Sequence, residues 1–319
     1  MTSNFNWRKS VCSLSLFDAD EFSLYSFIGY RLMMLCARRK SNREKFTFHF
    51  TVSGTRLLTV FFYFFWRLLK MNSFKYKTLF KAISDQADLP DNAVIADLGC
   101  KDATFLLAFQ EAFPGKIKSA VGVDITDKWF KNVKYKKPIE LKVMNCAEKL
   151  EFPDNSFDFV FSKDMFECVS DKDLLVNEIH RILKPGGTVI SVNCDWDSVV
   201  YNGENKELIS KAVHAYAVTK QPWMDDLDSW IGRRMYGFFN KTGLFESTVS
   251  VHNVVETEYK EGTFGYDLSM DISWLYKENT GALSQKEYAE FINNLNSAQA
   301  AENYIFSKPY YIYKGIKRI

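Results

Sequence analysis

The sequence predicts an α/β fold, a doubly wound and mostly parallel sheet over residues 71–319, and three observations carry that expectation. Short apolar, β-branched runs of strand length alternate with segments whose apolar residues recur at helical spacing. Two of those runs, Val94–Asp97 and Ser119–Asp124, close on a carboxylate, and the 27 residues from Asp97 to Asp124 are close to one strand–helix–strand step. The pairs Pro114-Gly115 and Pro185-Gly186 stop helices and turn the chain back toward a sheet.

The elements follow in order. Phe74, Leu79, Phe80 and Ile83 form a helical stripe through about Asp88, broken by Pro90-Asp-Asn before the first strand. A helix over Asp102–Phe113 separates strands one and two. Strand three is Glu140–Asn145 and strand four Phe157–Ser162. The helix Asp171–Leu183 puts Leu174, Leu175, Ile179, Ile182 and Leu183 on one face, and Lys184-Pro-Gly-Gly187 leads into strand five, Thr188–Cys194. Beyond it lie a helical stretch, Glu204–Val218, and Ser229-Trp-Ile-Gly-Arg-Arg234. Strand six is read over Phe245–Val255 and strand seven over Tyr304–Lys314, where Pro309 requires a bulge or an unpaired position. Residues 260–300 between them read as helical.

A turn after an apolar strand, opening a helix, is a place where free backbone N–H groups can hold a carboxylate or phosphate. Val94–Thr104 has that form, although Gly99 is its one glycine. Asp124 suits ribose hydroxyls, because a carboxylate only accepts hydrogen bonds and can take two at once.

Together Asp97-Leu-Gly-Cys100, Gly122-Val-Asp124, Cys146-Ala-Glu148 with Phe152-Pro-Asp-Asn-Ser-Phe-Asp158, and Glu178-Ile-His-Arg-Ile-Leu-Lys-Pro-Gly-Gly187 resemble the class I S-adenosylmethionine-dependent methyltransferases. The likeness is greatest to the small-molecule group that includes ubiquinone and menaquinone biosynthesis, and covers roughly residues 75–195. It implies a seven-stranded Rossmann-like methyltransferase sheet with its last strand inserted antiparallel, a helical cap, S-adenosyl-L-methionine as cofactor and a small-molecule acceptor methylated on O, N or C. It also implies roles. Asp97, Gly99, Cys100 and Lys101 would receive the methionine end, Asp124 and Ile125 the ribose and its surroundings, and Cys146 and Ala147 the adenine edge. Ser162 and Lys163 would supply backbone beside the sulfonium, and segments 195–245 and 260–300 would cover the acceptor.

Two departures open an alternative, a methyltransferase-like binding or scaffold module without catalysis. Lys101 and Ala103 stand where the family has glycines, and a side chain where φ must be positive costs about 1 kcal/mol or more. Cys146 stands where the family commonly has an aspartate, and a thiol is a weak acceptor. Lys101 could instead pair with the cofactor's carboxylate, and Asn145 could substitute for the missing aspartate. Should the acceptor need a base, Asp195 at the end of strand five and His214 on the following helix are the candidates. His214 also reads as a surface or helix-packing residue, His180 as structural, and Trp196 and Trp230 as core or pocket wall.

Composition bounds the rest. A chain of 319 residues at 47% hydrophobic can bury one large core with material left for a cap. Residues 1–70 hold 11 Lys/Arg against 4 Asp/Glu, which leaves the remainder at net −5 and argues against a nucleic-acid partner. Six cysteines without paired spacing suggest neither disulfides nor a metal site, and fit a reducing, cytoplasmic setting. Residues 1–70 also carry 16 of the 51 aromatics, including the run Leu57–Trp66, which is too short to span a bilayer. Three readings stand for this basic aromatic extension: peripheral membrane contact, a helix on the main domain, or an unfolded segment.

Overall fold

The computed structural model describes residues 75–130 and 139–319. The expectations for residues 1–70 lie outside the described residues. Among those described, no helix is long and apolar enough to cross a membrane.

One mixed sheet carries eight strands. They are β1 (Ala93–Leu98), β2 (Ile117–Asp124), β3 (Ile139–Val143), β4 (Phe157–Lys163), β5 (Leu183–Cys194), β6 (Val200–Tyr201), β7 (Phe245–Glu256) and β8 (Phe306–Lys317). The order is β3-β2-β1-β4-β5-β8-β7, parallel from β3 through β5 and antiparallel at β8. The expected seven strands thus become eight. The short β6 pairs with the start of β8, past the end of β5. β1 lies centrally and is buried along nearly its whole length, which is why its sequence is a continuous apolar run rather than an alternating one.

The helices are α1 (Lys77–Ser84), α2 (Thr104–Ala112), α3 (Lys172–Ile182), α4 (Lys206–Val218), α5 (Ile231–Asn240), α6 (Phe264–Ile272), α7 (Trp274–Lys277) and α8 (Gln285–Ala300). One core lies between the sheet and α1, α2, α4, α6 and α8, and contains Phe109, Phe159, Phe161, Ile190, Phe291 and Tyr310. The other lies beneath α3 and α5, with Val160, Ile179, Met235, Phe239 and Tyr313. α8 starts with a full capping box, Ser284 with Glu287, and lays Phe291 edge-on to Tyr201 of β6. The span 260–300 is therefore anchored to the sheet through β6.

Two stretches of the sequence resemblance turn out to brace the sheet. Asp158 accepts from Lys184 Nζ and from the Val94 amide at 2.8 Å, tying β1, β4 and β5 together. Phe157 pairs with Leu183 and Phe159 with Thr188, so Lys184–Gly187 loop out of β5 instead of preceding it. Glu178 and Arg181 of α3 bind the backbone of Leu150 and Phe152, which fixes the segment leading into β4.

Pro309 is paired and needs no bulge: it stands opposite Asn253 in the β7–β8 ladder. Its carbonyl accepts the Asp195 N–H at 3.2 Å on the β5 side. N–H and C=O of one strand residue point the same way, so the missing donor falls where β5 has ended and the β7–β8 ladder runs through without a register shift.

Candidate functional site

The carboxyl ends of β1, β2 and β4 converge on the loop Gly99–Ala103. The amides of Gly99 and Cys100 both donate to Val123 O at 2.9 Å, and the Lys101 amide donates to Asp124 Oδ2 at 2.9 Å. Gly99 sits at φ +78°, and a Cβ there would come within 2.7 Å of Met165. Lys101 and Ala103 adopt φ 49° and 56°, the left-handed region the missing glycines would have taken. The backbone of the loop is thus preserved at the cost of strain. The Lys101 side chain turns away to the Trp129 ring, 5.0 Å from its centroid. Ala103 begins α2 without a side-chain cap of its own, and the Thr104 amide of the first turn donates to Asp102 Oδ1 at 3.2 Å.

Asp97 is buried at the end of β1. Burial, then the Asp124 carboxylate, push its carboxyl up to about 8, with Lys163 partly opposing. Asp124 accepts from Lys101 and, at 3.4 Å, from the Thr126 amide, which leaves about half of a carboxylate's roughly four acceptor positions open. Beside it the apolar Ile125 side chain is 55% exposed. Cys100 and Cys146 are buried near the same carboxylates. Burial, followed by Asp124, pushes the Cys146 thiol up to about 12, and Cys100 moves in the same direction, so both stay neutral. Asn145 is occupied locally: its Oδ1 takes the Ala147 amide at 3.0 Å and its Nδ2 donates to Glu148. The Ser162 side chain is buried and bonded to Ser191 Oγ at 2.9 Å.

A second cluster lies at the ends of β4, β5 and β8. Lys163 pairs with Asp164 and lies over the rings of Tyr76, Tyr310 and Phe105 at 4.7, 5.2 and 5.8 Å. Burial opposes ionisation of both partners, but each stabilises the other's charge: Lys163 moves above the ordinary lysine value and Asp164 below the ordinary carboxylate value. Asp164 also accepts the Cys194 amide at 3.0 Å. Glu167, in a short 3₁₀ turn after β4, is buried and accepts from Trp196 Nε1 at 2.9 Å. Burial and Asp164 push its carboxyl up to about 8. Lys308 of β8 lies over Trp196 at 3.9 Å and over Tyr310 at 5.0 Å.

The two expected bases each have partners of their own. Asp195 is fully buried, but Arg233 of α5 grips its carboxylate through Nε and Nη2, and Ser198 Oγ donates to it at 2.8 Å. Its lone pairs are committed to holding α5 against β5. Gly232 permits that approach, since a Cβ there would meet the Asp195 amide at 2.9 Å. His214 has a side chain 66% exposed, on the outer face of α4, and contacts Asp197 at 3.3 Å. Among the described residues no group of three His, Cys, Asp or Glu could hold a metal ion.

Sequence reasoning passed over Asp164, Glu167, Lys308 and Tyr310. A signal was present for Lys308: with period-two alternation Phe306, Lys308, Tyr310 and Ile312 share one face, and a lysine interrupts it. Asp164 immediately follows an apolar strand, as Asp124 does.

The family described as Methyltransferase domain matches residues 96–191. Among curated proteins, phosphoethanolamine N-methyltransferase 3 of Arabidopsis thaliana is 30% identical over 115 residues, 34% of this chain and 23% of that protein. The ubiquinone/menaquinone biosynthesis C-methyltransferase UbiE of Stenotrophomonas maltophilia is 28% identical over 131 residues, 35% of this chain and 52% of that protein. The chain thus spans about a quarter to half the length of these relatives. A candidate methyltransferase from Bacillus halodurans, of known crystal structure, superposes with TM-score 0.51 over 75% of this chain and 99% of its own, at 14% identity, a likeness of fold.

Proposed function

We propose that this chain, whose residues 96–191 form a class I S-adenosylmethionine-dependent methyltransferase domain, transfers a methyl group to O, N or C of a small, largely hydrophobic acceptor. One observation carries the proposal: the Asp97–Ala103 loop holds Gly99, Lys101 and Ala103 in left-handed backbone beside Asp124 and the exposed Ile125. The residues fit the cofactor. Asp97 suits its ammonium, Asp124 retains acceptor capacity for two hydroxyls, and Ile125 offers an apolar face. Bound there, S-adenosylmethionine would supply an electrophilic methyl group on a sulfonium.

The chain's own contribution is to hold an acceptor in line and to keep water out. Lys163, locked between Asp164 and three aromatic rings, fixes the wall at the end of β4. If the acceptor loses a proton, Glu167 is better suited to accept it than Asp195, because its carboxyl is held by one indole N–H rather than by a bidentate arginine. Segments 195–245 and 260–300 would form the cover. The setting we infer is cytoplasmic.

Titration calorimetry with S-adenosylhomocysteine tests the reading; absence of binding to the folded chain sinks it. A rival, a module that binds without turnover, is favoured by the neutral, buried Cys146 thiol. Cys146→Asp separates the two: a large gain in cofactor affinity marks a decayed site, and a loss marks a working site adapted to the thiol.

A further inference from the structure

Three lysines are buried among the described residues: Lys172, Lys308 and Lys317. Lys172 binds Asp226 and the Val169 carbonyl, and Lys317 binds Asn155 and the Leu183 carbonyl. Lys308, at 7% exposure, has neither a hydrogen bond nor an ion pair among the described residues. Its contacts are the Trp196 and Tyr310 rings. Stacking on π faces offsets part of the desolvation of an ammonium but leaves its three N–H donors without acceptors. Among the described residues the fully enclosed unpartnered side-chain atoms are Asn193 Oδ1 and the Tyr304 hydroxyl, so Lys308 Nζ keeps an opening to solvent.

We propose that Lys308 determines acceptor specificity: its ammonium receives an anionic oxygen group, carboxylate or phosphate, of an acceptor whose apolar body lies along Trp196 and Tyr310. The proposal rests on the methyltransferase reading above. Charge balance agrees with it. Lys163 is neutralised by Asp164, which leaves Lys308 as the surplus cation wherever Glu167 carries its proton. Asp271 of α6, the other carboxylate acting on Lys308, forms no ion pair with it among the described residues. The anion would supply the acceptors that the neighbouring carboxylates, beyond ion-pair distance, do not.

The test is calorimetry on the full chain with benzoate and phenyl phosphate, using benzyl alcohol and benzylammonium as neutral and cationic controls of similar size. At least one anion is expected to bind about tenfold or more tightly than benzyl alcohol, with benzylammonium weakest. Which anion binds identifies the group. Lys308→Met should lose about tenfold or more of that binding, while Lys308→Arg stays within about threefold of wild type. Anions that bind no better than benzyl alcohol, or that bind Lys308→Met as well as wild type, overturn the proposal. Thermal melts confirm that each variant is folded, and a purely structural lysine would shift the melt without changing anion selectivity. S-adenosylhomocysteine titrated into the same proteins keeps the two readings apart. Lys308-dependent anion binding without nucleoside binding sinks the methyltransferase reading alone; nucleoside binding without anion binding sinks the Lys308 proposal alone.

Discussion

Asp124 and Lys101 are joined by one hydrogen bond, from the Lys101 amide to Asp124 Oδ2 at 2.9 Å, and that bond helps hold a lysine in a backbone conformation suited to glycine. The acidic end of β2 thereby shapes the loop after β1 as well as facing the space above it.

Lys101→Gly should therefore stabilise the fold. Relief of the left-handed strain is worth about 1 kcal/mol, and loss of the exposed stacking on Trp129 returns about 0.5, a net gain of about 0.5 kcal/mol by denaturant titration. Affinity for S-adenosylhomocysteine should change by less than about threefold, because the side chain points to Trp129. A loss beyond about tenfold would place that side chain on the ligand.

Asp97 should give up a proton when the cofactor binds. With its carboxyl pushed up to about 8 it is mostly protonated at pH 7, and an approaching ammonium favours the carboxylate. Binding enthalpies measured at pH 7 in buffers of differing ionisation heat should reveal proton release, and Asp97→Asn should remove it. Equal enthalpies in all buffers for the wild type would contradict the assignment.

Stability of the free protein should fall as pH rises through the neutral range. Asp97 and Glu167 have folded-state values raised from 3.8 and 4.5 to about 8. Between those limits the folded chain holds protons that the unfolded chain has released, so raising the pH favours unfolding. The melting temperature should decline from about pH 5 to about pH 8 and then flatten, with Asp97→Asn and Glu167→Gln each reducing the slope. A melting temperature that climbs across this window in wild type, and is unaltered by both substitutions, counts against buried neutral carboxyls.

For an acceptor that must be deprotonated, turnover should rise with pH through about 8 as Glu167 ionises. The charged groups facing it are Asp164 and Lys163 at the end of β4 and Lys308 on β8, with the Trp196 N–H on its other side. Glu167→Gln should abolish that limb of the kcat profile while leaving S-adenosylhomocysteine affinity unchanged. An unchanged pH profile would assign the proton to another group.

Arg233→Ala should cost about 2–3 kcal/mol, because it strands the buried Asp195 carboxylate, whereas the double change Asp195→Asn with Arg233→Met should cost much less than the two single changes summed. His214→Ala, on an exposed face, should shift stability by less than about 0.5 kcal/mol and leave turnover intact.

The parallel half of the sheet was legible because buried strands read as apolar runs, and β1, β2 and β4 each end on residues that face the same edge. The loop was legible in place, and the glycine positions held by Lys101 and Ala103 raised the question of its shape; that both residues adopt positive φ is visible only in the structure. Asp195 looked like a base because it ends β5, and its arginine lies 38 residues downstream on a helix with no pairing signature. The cluster of Glu167, Trp196 and Lys308 is assembled from three distant segments, so no local pattern announces it. The lysine that breaks the apolar face of β8 was its single sequence signal.

β8 lies between β5 and β7, yet it follows every other described element in sequence. During synthesis the parallel strands, α3 and α5 all emerge while β5 still has an unpaired edge, because Thr188–Cys194 must wait for Tyr310–Ile316. A nascent chain in that state exposes a long apolar strand edge, the kind of surface that chaperones bind and that aggregates other chains. Lys308 and Tyr310 arrive with the same strand, so closing that edge and furnishing the acceptor wall are a single late event.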